Sequence, residues 1–120
     1  MKKLLICLLF ITSALASKAQ LANTKWTGTM MVPSEQKVTL SFKKDSLFIM
    51  IDNDVVESMT YTVKDNTIIA NKFDGKSPCD LGPFTLTYSL KGNQLFIKDT
   101  SDSCDDRLHA WTTDPFIKGN

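Results

Sequence analysis

From Trp26 onward the chain alternates apolar and polar residues with a period of two. "KVTLSFK" places Val38, Leu40 and Phe42 on one face. "PFTLTYSLK" places Phe84, Leu86, Tyr88 and Leu90 on one face and Thr85, Thr87 and Ser89 on the other. Successive side chains leave opposite sides of a pleated backbone, so this period, rich in β-branched and aromatic residues, predicts half-buried strands. Eight are expected: Trp26–Val32, Lys37–Lys43, Ser46–Asp52, Val55–Lys64, Thr67–Phe73, Phe84–Lys91, Gln94–Asp99 and Arg107–Thr112. Helical periodicity is almost absent after residue 19.

Turn chemistry orders these strands. "KKDS", "KDNT" and "KGNQ" join strands two and three, four and five, and six and seven. Their Asp, Asn and Gly residues tolerate the positive φ that tight hairpins demand. "DGKSPCDLG" and "TSDSCDD" are the long connections, after strands five and seven. In an up-and-down meander alternate turns fall at opposite ends, so one end is tightly closed and the other carries both long loops. Eight antiparallel strands with one apolar face leave two raw edges, which closure into a barrel removes. The expected fold is therefore all-β, an eight-stranded antiparallel up-and-down β-barrel, with a two-sheet β-sandwich as the alternative. Strands this short favour a filled interior with a shallow mouth over a deep cup.

The first residues change the reading of charge and cysteines. Lys2 and Lys3 precede the apolar run "LLICLLFI" and then "SALASKA", the pattern of a secretory signal peptide. Cleavage is expected after Ala19, with Ala16 as the alternative, leaving 20–120 as one domain. Loss of Lys2, Lys3 and Lys18 leaves 11 basic residues against 13 acidic ones. Such a mildly acidic chain has no general electrostatic attraction to nucleic acid or anionic membrane. No later apolar stretch approaches the ~20 residues of a spanning helix. The expected address is periplasmic or extracellular.

Cys7 would leave with the leader, and Cys79 and Cys104 would remain, an even number in an exported chain. That favours a disulfide over two free buried thiols. The meander brings their two loops to the same end, so a bridge there would staple the longest loops across the open mouth.

"LANTKWTGT", "VTLSFKKDSLFIMI" and the pattern Cys79, Gly82, Phe84, Gly92, Leu95, Asp102, Cys104, Arg107 together resemble small exported bacterial lipocalin-like proteins of the calycin type. The resemblance spans most of residues 21–112 and implies a barrel that binds a small hydrophobe. In lipocalins an Arg or Lys near the end of the last strand packs over the first-strand Trp. Arg107 begins the expected last strand, at the other end from Trp26, so that role does not transfer to it.

Candidate chemistry is sparse. Arg107 follows Asp102, Asp105 and Asp106, with Asp80 expected nearby; its planar fork suits a carboxylate, either a structural partner or a ligand's. Met30, Met31, Met50 and Met59 fall in the first four strands and suit either core packing or an adaptable pocket wall. The candidate ligand-binding residues are Arg107, Phe84, Met59, Tyr61 and Met31. His109 is the single histidine, and the acidic "DTSDSCDD" lacks a calcium-loop spacing. No nucleophile elbow or phosphate-cradling loop is present, so no catalytic residue, metal or cofactor is expected. The expected function is non-catalytic binding of a small, partly apolar or amphipathic ligand at the open end. The alternative is an exported interaction or enzyme-inhibitor module with a filled barrel, meeting an extracellular or envelope protein.

Overall fold

Alternation in the sequence becomes alternation in burial. Val38, Leu40 and Phe42 are buried on one strand, and Phe84, Leu86 and Tyr88 on another. The structure is a computed structural model that describes residues 20–75, 79, 82–102 and 104–119. The leader expected at residues 1–19, and Asp80, lie outside the described residues.

The strands are β1 (Thr24–Met31), β2 (Glu35–Phe42), β3 (Ser46–Ile51), β4 (Asp54–Lys64), β5 (Thr67–Gly75), β6 (Gly82–Lys91), β7 (Gln94–Ser101) and β8 (Phe116–Lys118). Each pairs antiparallel with its sequence neighbour, and β8 also pairs with β1, closing a barrel. Closure rules out the two-sheet sandwich. The tight turns behave as their residues require at Asp65 and Gly92, where φ is 55° and 61°. The turn after β2 takes another route: Lys43 N–H donates to Ser46 O, and the Tyr61 hydroxyl donates to Lys43 O at 2.6 Å.

The last strand differs from expectation. Residues 107–112 are not a strand. Asp105–Leu108 form a short helix, α1, and Trp111 makes only an isolated bridge to Met30. Asp105 and Asp106 in the first turn and Arg107 in the last complement the helix dipole. The closing strand is instead the three residues Phe116–Lys118. It lies between β1 and β7, with Trp26 opposite Lys118 and Leu95 opposite Phe116. Lys118 Nζ thereby sits 6.0 Å from the centre of the Trp26 ring. A cation from the last strand does lie over the first-strand Trp; it is Lys118. Gly28 makes this closure possible, because a Cβ there would fall 2.4 Å from Phe116 Cδ1.

Trp26, Phe42, Leu95 and Phe116 pack the closed end, and Leu21 is buried with them. Trp26 Nε1 donates to Thr24 Oγ1 at 2.7 Å, and Thr24 Oγ1 donates to Leu21 O, which pins the entering chain over that end. No helix among the described residues is long and apolar enough to cross a membrane.

Candidate functional site

The open end carries the loops after β1, β3, β5 and β7. Cys79 and Cys104, from the two long ones, are joined by a disulfide with their Cα atoms 5.7 Å apart. The backbone groups of both cysteines hold polar side chains at the mouth. Cys79 O accepts from Lys72 Nζ at 3.1 Å. Cys104 N–H donates to Asp102 Oδ1 at 3.0 Å.

Asp102 in turn fixes Arg107. Arg107 Nε donates to Oδ2 at 2.5 Å and Nη2 to Oδ1 at 2.8 Å, a two-point clamp. The guanidinium lies 4.1 Å from the centre of the Phe84 ring. The Asp102 side chain is fully buried. Burial alone would push its carboxyl up. Hydrogen bonds from Arg107, from the Asp99 side chain and from Cys104 N–H, with the charge of Arg107, outweigh this and hold it below the usual carboxylate value. Asp105 and Asp106 are exposed, so of the three acids in the sequence pattern it is Asp102 that pairs with Arg107.

Below this rim is a cavity of about 880 Å³. Met30, Ile49, Met59, Phe84, Val56 and Trp111 are among the residues of its apolar wall. Arg107, Lys72 and Glu57 border it, with Asp105, Asp106 and His109 at the mouth. The interior is therefore not filled throughout: side chains pack the closed half and leave space under the disulfide-bridged loops. A second groove, of about 640 Å³, lies along β6 and β7, with Thr87, Ser89, Lys98 and Thr112 among its polar lining. Trp111 borders both spaces.

The structure places Arg107, Phe84, Met59 and Met31 on the cavity wall, Met31 at its exposed rim. Tyr61 is not among them. It shares the inward face with Met59 but lies two residues further along β4, about 6.6 Å deeper into the barrel. There its ring packs edge-on against Phe42, with centroids 5.3 Å apart. Burial, and secondarily Asp45, raise its hydroxyl above the ordinary tyrosine value. Met50, on the outward face of β3, is half-buried and also outside the cavity.

Lys72 is the polar wall residue that the sequence reading missed. Its side chain is 2% exposed and its Nζ lies 3.0 Å from Glu57 Oε2. The signal was present in "IIANKF": Ile68, Ala70 and Lys72 share a parity, so a lysine continues the buried face. Register completes the arrangement, since Lys72 pairs opposite Met59, next to a bulge between Ser58 and Met59.

A closed eight-stranded barrel with an apolar cavity at one end is the architecture of a lipocalin-like ligand-binding domain. Residues 22–113 match the family model described as a lipocalin-like domain, and the chain belongs to that family. No curated protein and no solved structure matches the chain.

Proposed function

We propose that this protein is an exported, non-catalytic carrier or sensor that binds a small, partly apolar molecule in the open end of its barrel. The observation that carries this reading is the cavity of about 880 Å³, walled mainly by Met, Ile, Val and aromatic side chains. A space of that size and lining suits a small-molecule site. The Cys79–Cys104 disulfide fits an oxidising compartment, periplasmic or extracellular. The alternative of an interaction or inhibitor module assumed a filled barrel, and the cavity favours the ligand reading over it.

Arg107, Phe84, Met59 and Met31 are the proposed contact residues from the sequence, and Met30, Ile49, Val56 and Trp111 join them. Native mass spectrometry of the unreduced protein from its own host tests the reading. The expected result is a small-molecule adduct that disappears on mild denaturation. In parallel, the neutral fluorescent probe N-phenyl-1-naphthylamine should bind the emptied protein, and Val56→Trp, which fills the cavity from a half-buried wall position, should abolish uptake. A clean chain mass together with no probe uptake overturns the proposal.

A further inference from the structure

The two cations that line the cavity among the described residues are already neutralised. Arg107 is clamped by Asp102, and Lys72 is paired with Glu57. Asp105 and Asp106 add two more carboxylates at the mouth. Among the described residues two cations thus face four carboxylates, and a carboxylate or phosphate entering this site would find no uncompensated positive charge on them. The mouth nevertheless retains donors. Arg107 spends Nε and Nη2 on Asp102, and its Nη1 is buried with no hydrogen-bond partner. Trp111 Nε1, an obligate donor, is likewise buried without one. Both residues line the cavity. A buried donor left unpaired is destabilising, and a ligand acceptor would relieve it.

We propose that the cavity selects an uncharged apolar molecule bearing a hydrogen-bond acceptor, such as a ketone, ester or lactone carbonyl, which accepts from Arg107 Nη1 and Trp111 Nε1. This rests on the ligand-binding reading above and narrows it. The paired guanidinium acts as a neutral-ligand donor, and the apolar wall takes the hydrocarbon. Anionic amphiphiles are disfavoured because their charge would be desolvated beside four carboxylates.

The test is displacement of N-phenyl-1-naphthylamine at pH 7 from the disulfide-intact protein by three matched compounds: octane, 2-octanone and octanoate. The expected result is that 2-octanone displaces the probe at roughly tenfold lower concentration than either of the others. Trp111→Phe keeps an aromatic wall and removes one donor; it should reduce the ketone's advantage over octane several-fold, each variant's octane displacement serving as its own baseline. Arg107→Lys should reduce it as well. Octanoate displacing best overturns the inference, since it would mean that charge is recognised. Equal displacement by all three, or a ketone advantage unmoved in both variants, overturns it while leaving a ligand-binding cavity. Failure of the probe itself to bind overturns the binding reading and this inference with it.

Discussion

The guanidinium of Arg107 lies 4.1 Å from the centre of the Phe84 ring while Asp102 clamps the same group through two hydrogen bonds. The stack and the clamp both use the plane of the guanidinium, which a lysine lacks. Arg107→Lys should therefore destabilise the protein by about 1–3 kcal/mol, read as a lower midpoint in urea with an unchanged slope. A midpoint equal to the wild type would show that the charge alone matters.

Acid should weaken this end of the barrel first. The Asp102 carboxyl is held below its ordinary value in the folded state. A group depressed by folding contributes stability that is present above its unfolded pKa, about 4, and is lost as pH falls through the folded value. Asp102→Asn should be less stable than the wild type at pH 7, and its stability should fall less steeply below about pH 4. Urea titrations across that range measure both slopes; parallel slopes would remove Asp102 from the acid response.

The disulfide closes a loop with a sequence separation of 25. In the chain-entropy model such a bridge stabilises by roughly 3–4 kcal/mol. Cys79→Ala/Cys104→Ala should lose about that much in chemical denaturation. Hydrogen exchange should rise most at the backbone of Lys72 and Asp102, whose side chains are tied to Cys79 and Cys104.

Lys72 and Glu57 should behave as a coupled pair. The lysine is almost wholly buried, whereas the Glu57 side chain keeps some solvent contact, at 14%. Glu57→Gln alone removes the carboxylate charge 3.0 Å from a buried ammonium and should destabilise by about 2–4 kcal/mol. Lys72→Met/Glu57→Gln should recover part of that loss. A double-mutant cycle in urea gives the coupling; strict additivity would show that the pair does not interact energetically.

Gly28→Ala tests the closure of the barrel. Its Cβ would overlap the Phe116 ring, so β8 must shift away from β1 or the ring must leave its rotamer. A loss of about 1–3 kcal/mol is expected, with weakened exchange protection at Lys118, whose N–H donates to Asn93 O. Unchanged stability would mean that Phe116 repacks freely.

Alternation of apolar and polar residues by itself determined β1 to β7, because inward and outward faces repeat every second residue whatever the partner strand. Turn residues then ordered the ends, and that placed Cys79 and Cys104 together with Arg107, Phe84 and Met59 near one mouth. What followed Cys104 was decided by tertiary structure. "RLHAWT" alternates like a strand, yet α1 occupies its start. Phe116–Lys118 is too short for any periodicity to reveal, and it is a strand because β1 and β7 both offer it free backbone groups. Depth along the barrel was equally invisible: Met59 and Tyr61 share a parity, but one lines the cavity and the other packs the closed end. The burial of Lys72 followed from parity together with a partner across the sheet, Glu57, which only the register brings within 3.0 Å. The cavity itself is what the packed side chains leave over once the barrel has closed, a quantity set by three-dimensional packing that a one-dimensional pattern does not contain.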